Sequence, residues 1–470
     1  MRLRHALLVL PALLAPLYAC EDSSSSSSGG IFDPDSGPGF DAGAPPEGGS
    51  LVDAPDAAPP KGMTLTVLKT GAPRADVRVI AHDATGAVTS EGKTDAAGKV
   101  TLASAPSMVT VLGESYGSRV AVTYLGVADG DALVVSEPTI ETGEIPPIGT
   151  YSVSLNPYAG ATNYEVYVGA GQTCSNSTGE LAGPVDVLLF PACVGPQNAI
   201  LARAAGNEGL SAFAFAKNVA KPPQGATVAV GPLTFTAKGT VTLTATGFPA
   251  DLSKRGDLWA LANGSLYYPA APLGSLDTTG QAYPYPVGFA DAIQSTVRAH
   301  RDGKGLDVGS GFVRREAPPA GATATIAYDF ADALPFFTGS TVDAAVPARA
   351  NITLQSEKPL TATDGGIVRI DWTVGGSGLE RRQWLFVVPP TTTSFKVPAL
   401  PADAEAAAYA PGPNVVVSDA IFVEATQLTG YGQLKALPIS MDLRTAVLDP
   451  SRPLPSNGVV RITSMRPALD

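Results

Sequence analysis

Cysteine, histidine and serine carry most nucleophilic and metal-binding chemistry, and this chain uses the first two sparingly. Its 470 residues include Cys20, Cys174 and Cys193, and the histidines are His5, His82 and His300. A zinc site needs three or four ligands at workable spacing, and neither His82 nor His300 has a Cys or His neighbour to share one. One serine sits in a suggestive pattern. Gly113-Glu114-Ser115-Tyr116-Gly117 fits the Gly-x-Ser-x-Gly of a nucleophile elbow and follows the strand-like Val109-Thr110-Val111-Leu112. That chemistry needs a strand-to-helix turn that raises the serine above a sheet, with His and Asp arriving later. Here Val120, Val122 and Tyr124 alternate with Ala121 and Thr123, so a second strand follows and the five residues read as a hairpin turn. The sequence holds no Gly-x-x-x-x-Gly-Lys phosphate cradle. No particular pair of carboxylates stands out for glycoside hydrolysis, and no cofactor or metal is expected.

A second set is less bland. Trp259, Tyr267, Tyr268, Tyr283 and Tyr285, together with Phe289, Phe336 and Phe337, crowd into one stretch of chain. Aromatic faces on loops stack on sugar rings or on a proline-rich peptide; turned inward, they fill a β core. Both readings stay open for these residues. A formal charge of −12 and a pI near 4.8 argue against nucleic acid as a partner, because phosphate binding needs clustered Lys and Arg.

The amino terminus sets the compartment. Arg2, Arg4 and His5 precede an apolar run from Ala6 to Leu17 that is too short to span a bilayer and is interrupted by Pro11 and Pro16. It reads as a signal-peptide core. The closing Leu17-Tyr18-Ala19-Cys20 resembles the lipobox of bacterial lipoproteins. Tyr18 departs from the usual small residue at the tolerant position. The resemblance implies cleavage after Ala19 and lipid on the Cys20 thiol, hence a membrane anchor in the cell envelope. Each buried methylene contributes roughly 0.8 kcal/mol, so two or three chains hold where one does not. Glu21, in place of the Asp that retains enteric lipoproteins at the inner membrane, leans toward the outer membrane.

Residues 20–61 carry the run Ser23 to Ser28, Gly29-Gly30 and a Pro/Gly/Asp/Ala segment, too poor in apolar residues to build a core. They read as a disordered tether, whose flexible-coil reach is roughly 35 Å. Asp33, Asp35 and Asp41 lack the alternation of a calcium loop. With Cys20 lipidated, Cys174 and Cys193 remain as an even pair in an oxidising compartment. A bridge between them would close a loop worth on the order of 3 kcal/mol; two free thiols are the alternative.

The body is expected to be all-β: tandem Ig-like and fibronectin-like β-sandwich domains after a signal peptide (1–19) and the disordered tether. Gly (50) and Pro (42) are abundant, which favours turns over long helices. Four segments follow. In 62–145, Gly71-Ala72-Pro73, Val77-Arg78-Val79, Asp83, Gly86 and Thr94-Asp95-Ala96-Ala97-Gly98-Lys99-Val100-Thr101-Leu102 resemble the carboxypeptidase-regulatory-like Ig fold. Gly130-Asp131 before Leu133 to Val135 suggests one further hairpin. Segment 146–233, with Tyr151 to Leu155 and Tyr164 to Val168 alternating, looks like fibronectin type III and holds the cysteine pair. Segment 234–346 is β-rich, of uncertain type, with helical spacing at Phe289, Ile293 and Val297. Segment 347–470 is similar to fibronectin type III around Phe395 to Pro401. Openings of similar shape occur at Gly149, Gly239 and Gly366. The layout implies a non-enzymatic binding, adhesion or scaffold protein whose partner is an envelope protein or a polysaccharide.

Overall fold

Period-two alternation dominates the chain, and it produces strands. Gly239–Thr246 and Asn163–Val168 alternate buried and half-buried residues, and Lys99–Leu102 alternates exposed and buried ones. The computed structural model describes residues 62–102, 106–137, 146–169, 174–181, 183–207, 209–249, 252–267, 276, 280–303, 306–374, 380–441 and 454–467. The architecture is all-β, with sheets packed face to face in sandwich-like layers.

In each of the first three sandwiches, one sheet is built on an opening strand paired parallel with a closing one. Met63–Lys69 pairs with Ala132–Glu137, Gly149–Leu155 with Ala226–Leu233, and Gly239–Thr246 with Thr323–Asp329. The stretch after Gly130-Asp131 is therefore not a hairpin. Leu133 to Val135 cross to the opposite sheet and lie beside the opening strand, because alternate residues Leu133 and Val135 are needed in the core there. Gly149 and Gly239 play one role in two sandwiches. A Cβ at Gly149 would sit 2.8 Å from the Ala226 carbonyl, and one at Gly239 would sit 2.7 Å from that of Ala322, at the start of the closing strand. Gly366 belongs to an inner strand and faces Phe422 instead.

The second sandwich closes on itself. Its two sheets run Ser175–Thr178, Asn163–Val168, Gln197–Gly206, Gly209–Ala220, Thr236–Ala237 and Val185–Leu189, Gly149–Leu155, Ala226–Leu233. The other three segments share one twelve-stranded sheet, in the order Ser265–Tyr267, Ser253–Ala262, Ala292–Gly303, Leu306–Glu316, Val459–Pro467, Val416–Ala425, Gly365–Val374, Glu380–Val388, Ser118–Leu125, Met108–Ser115, Arg78–His82, Val88–Lys93. One face of this sheet carries Val120, Val122, Leu385 and Val387 into the core of the first sandwich. The opposite face carries Ala121, Trp384, Phe386, Phe422 and Phe312 into a second core, roofed by two separate three-stranded sheets. One roof is Gln281–Tyr285, Gly239–Thr246, Thr323–Asp329; the other is Phe337–Asp343, Asn351–Ser356, Ser394–Lys396. The helical spacing of Phe289, Ile293 and Val297 resolves as a turn at Phe289 and the strand Ala292–Gly303, since four residues is also two strand periods and Ser295 fills the buried position between Ile293 and Val297.

A parallel seam joins the first segment to the fourth, Gln383 to Val387 beside Val120 to Tyr124. A buried polar chain crosses it. The Trp384 indole donates to Thr123 Oγ1 at 2.7 Å, Thr123 and Thr110 hydroxyls meet at 2.8 Å, and Thr110 Oγ1 lies 2.9 Å from His82 Nε2. The Tyr431 hydroxyl caps the seam, 2.6 Å from the Leu125 carbonyl and 2.9 Å from that of Val387. Outside, Arg78 grips Asp403 at 2.7 Å and Glu91 at 2.9 Å, which holds the Asp403 carboxyl well below the usual carboxylate range.

Candidate functional site

Cys20 and Tyr268 lie outside the described residues. Cys174 and Cys193 are joined by a disulfide with Cα atoms 5.9 Å apart, both side chains buried in the core of the second sandwich. Ser115 ends a strand and pairs with Ser118, and Tyr116 (φ 51°) with Gly117 (φ 79°) makes the two-residue turn between them. Two successive positive φ values suit the right-handed twist of a hairpin. A strand, not a helix, follows the serine.

The aromatic set turns inward. Tyr267, Tyr283 and Tyr285 are 2%, 1% and 1% exposed, and Phe289 is fully buried. Tyr267 Oη accepts from Gly169 N at 2.9 Å and donates to the Ala199 carbonyl at 2.6 Å, while its ring meets Phe289 edge-on and Phe289 packs on Phe215. These contacts dock the second sandwich onto the third. Burial with no competing charge pushes the Tyr285 phenol up to about 12. Trp259 is half-buried against Leu261, Leu266 and Ala292. A sugar ring has no face of Tyr267, Tyr283 or Tyr285 to stack on, because Tyr283 and Tyr285 fill the core side of the roof sheet and Tyr267 is packed against Phe289.

A different group of residues frames an open site. A cleft of about 370 Å³ opens where Leu306–Glu316, Val459–Pro467 and Val416–Ala425 of the long sheet meet the roof strand Thr323–Asp329 and the turn that follows it, lined by Phe312, Arg314, Tyr328, Asp329, Asp332, Glu424, Thr426, Val459 and Arg461. Register explains the meeting. Phe312 lies opposite Arg461, and Arg461 opposite Glu424, so alternate residues of three adjacent strands share one face. Arg461 contacts Glu424 through Nε and donates from Nη1 to the Asp332 carbonyl at 2.7 Å. Hydrogen bonding to Glu424 raises the Arg461 guanidinium above its ordinary value. Arg314 donates to the Ala327 carbonyl at 2.9 Å, contacts Glu316, and lies 5.0 Å above the Tyr328 ring. Burial carries the Tyr328 phenol well above its usual range, and its hydroxyl lies 2.5 Å from Ser295 Oγ. Asp329 accepts from Ala331 N at 3.0 Å and starts the 3-10 turn Phe330–Asp332 that forms one wall.

None of these charged residues carries a sequence signal, because strand register and no local motif brings them together: Arg461 meets Glu424 across 37 positions and the Asp332 carbonyl across 129. A second charged cluster, Asp371 and Asp419 with Arg369, Arg381 and Arg466, is nearly closed to solvent at its carboxylates. Burial raises the Asp419 carboxyl against the pull of Arg466 and Arg369. Among the described residues, no group of three or more His, Cys, Asp or Glu is placed to hold a metal ion, and no helix is long and apolar enough to cross a membrane.

The chain matches no family model, and no curated protein matches it. Among solved structures it is similar to the Bacillus anthracis TIE protein, at 10% identity and a TM-score of 0.14, over 57% of this chain and 50% of that one. It is similar to the FN1–FN3 domains of chicken CNTN1, at 10% identity and a TM-score of 0.12, over 59% and 93% of the two chains. It is also similar to E. coli alpha-2-macroglobulin, at 11% identity and a TM-score of 0.10, over 75% of this chain and 26% of that one. The chain thus spans half the length of the first of these and about a quarter of the third.

Proposed function

We propose that this chain is a lipid-anchored binding or scaffold protein of the bacterial cell envelope, held on the outer membrane through Cys20 and acting without catalysis. The observation that carries the reading is the order of parts at the amino terminus. A basic start, a short apolar run and Leu17-Tyr18-Ala19-Cys20 lead into a Ser/Gly-rich tether, which delivers the chain to its first strand, Met63–Lys69. The disulfide between Cys174 and Cys193 is consistent with an oxidising compartment. Ser115 in a strand-to-strand turn supports a non-enzymatic reading, because a nucleophile elbow needs the following helix. A rigid body made largely of one long sheet suits a scaffold that presents a surface at a distance from the lipid.

Metabolic labelling with an alkyne fatty acid, followed by membrane fractionation, tests the anchor. The wild-type chain is expected to take the label and to pellet with outer membrane. Cys20→Ala is expected to lose the label and remain as unprocessed precursor. An unlabelled wild-type chain, or a Cys20→Ala variant that is still processed and still partitions into detergent, would overturn it.

A further inference from the structure

We infer that the outer edge of Thr323–Asp329 is a docking site for an extended segment of a partner polypeptide. The segment adds to the roof sheet as one more strand and places a Lys or Arg side chain in the cleft at the end of that edge. This rests on reading the chain as an envelope binding protein and supplies the chemistry of its partner.

The three closing strands differ in what lies on their outer edges. In the first sandwich, Ala132–Glu137 is extended by Ile439–Ser440, which runs parallel to Val135 and Ser136. The fold thus completes one such edge with a short strand from far along the chain. In the second, Ala226–Leu233 loses register with its neighbour between Val230 and Leu233, and Gly231-Pro232 sits at the break. A proline and a break in pairing both discourage strand addition. Thr323–Asp329 has neither. It pairs with Gly239–Thr246 along its whole length, and no described strand lies on its other side. From Thr323 to Tyr328 it also carries no charge of its own, so the usual guard against stray pairing is missing.

Backbone parity shows which groups are free. The Ala322 carbonyl accepts from Thr240 N of the opening strand at 2.6 Å. Alternate residues share a direction, so Ala324, Ile326 and Tyr328 face that strand, while Thr323, Thr325 and Ala327 face away from it. Arg314 reaches the Ala327 carbonyl from the floor at 2.9 Å, in agreement with this parity. The side chains of Thr323, Thr325 and Ala327 are exposed and small, so a second backbone can approach. Beyond Ala327 the chain follows Leu306–Glu316: Phe330 packs edge-on against Phe312, and Ser310 Oγ donates to the Leu334 carbonyl at 2.8 Å. An added strand therefore meets the cleft at Ala327 and runs outward past Thr325 and Thr323.

The cleft selects the side chain. Glu316 neutralises Arg314, and Glu424 neutralises Arg461. Asp329 and Asp332 are acidic beyond those two pairs, and both are exposed. Every second side chain of a strand beside Ala327 points down to the floor. A long cationic one there gains both aspartates, and an acidic one is repelled.

The test pans a phage-displayed library of random decapeptides against the full mature chain in detergent, then measures the enriched peptides by calorimetry. They are expected to be rich in β-branched residues and to carry a Lys or Arg. Thr325→Pro removes an outward N–H, which an edge strand tolerates. It is expected to weaken binding at least tenfold with the melting temperature kept. Asp332→Lys is expected to weaken the basic peptides as much, and to spare versions in which the basic residue is Gln. Methylating alternate amides of an enriched peptide should abolish binding in one register and preserve it in the other. That last measurement uses the wild-type chain, so it decides the matter even where Thr325→Pro melts low. No enriched peptide, enrichment without a basic residue, or equal loss from both methylation registers would each overturn the proposal. So would a dimer of the chain that Thr325→Pro dissolves in sedimentation, since the occupant would then be a second copy. Fatty-acid labelling of the same preparation reads the anchor separately, so a sound anchor with no peptide bound sinks only this inference.

Discussion

His82 is fully buried, and the causes of its shift are plain. Burial comes first and the nearby Arg349 second, and together they lower the imidazole from 6.5 to about 4. The ring is therefore neutral in the folded protein at pH 7. Between pH 6.5 and 4 the unfolded chain binds a proton that the folded chain refuses, so stability is complete above 6.5 and falls as the pH drops toward 4. The full loss is on the order of 3 kcal/mol. Urea titrations at pH 7 and pH 5 should show the wild type losing stability at the lower pH. His82→Gln should lose markedly less, while keeping a polar neighbour for Thr110; an identical pH dependence in both proteins would refute the assignment. In sequence His82 is a lone histidine, and nothing there brings it to Thr110 or links Thr123 to Trp384. Register across four strands makes those contacts, and register is invisible in composition. The same holds for Arg314, Arg461 and Glu424. Cys174 and Cys193 were legible, because a leftover even pair in turn-like sequence is a strong local sign.

At the scale of the strand, the reading from sequence worked where one face is buried and one is not. Gly239–Thr246 and Asn163–Val168 alternate cleanly and are strands. Ala292–Gly303 misled because both its faces are covered, so polar Ser295 and Thr296 are as buried as Val297 and the period is lost. The aromatics between 259 and 289 misled in a related way, since inward and outward aromatics look alike in a sequence. The opening strands give a sharper test. Gly149→Ala and Gly239→Ala each drive a methyl to within 3 Å of a carbonyl on or just before the closing strand, where backbone cannot give way easily. Each should cost roughly 1–3 kcal/mol. Gly183→Ala meets nothing within 4 Å at an ordinary φ and should be neutral or slightly stabilising. Equal melting temperatures for all three variants would remove the equivalence drawn between the two sandwiches.

Across the whole molecule, the tandem-sandwich expectation describes the layers but not their continuity. Three segments contribute to one twelve-stranded sheet, so their interfaces are ladders of hydrogen bonds and shared cores instead of flexible joints. Amides of Ser118–Leu125 and Glu380–Val388, 261 positions apart at Thr123 and Trp384, should accordingly exchange with solvent in one cooperative event. Pulsed hydrogen exchange with mass spectrometry reads this directly, and two well-separated protection classes for those strands would contradict it. Deleting residues 62–145 should leave Glu380–Val388 as an open edge and yield aggregates by light scattering.

The parallel seam also governs when the protein becomes itself. A chain emerges amino end first, and Ser118–Leu125 appears long before the neighbour that completes its ladder. Until then its outer edge has no partner, and His82, Thr110 and Thr123 wait beside water for an indole not yet made. Ile439–Ser440, which extends the sheet behind them, arrives later still. Assembly is in this sense postponed until Glu380–Val388 has been made, and a product cut short before that strand would be a sticky, unfinished sheet rather than a shorter working protein.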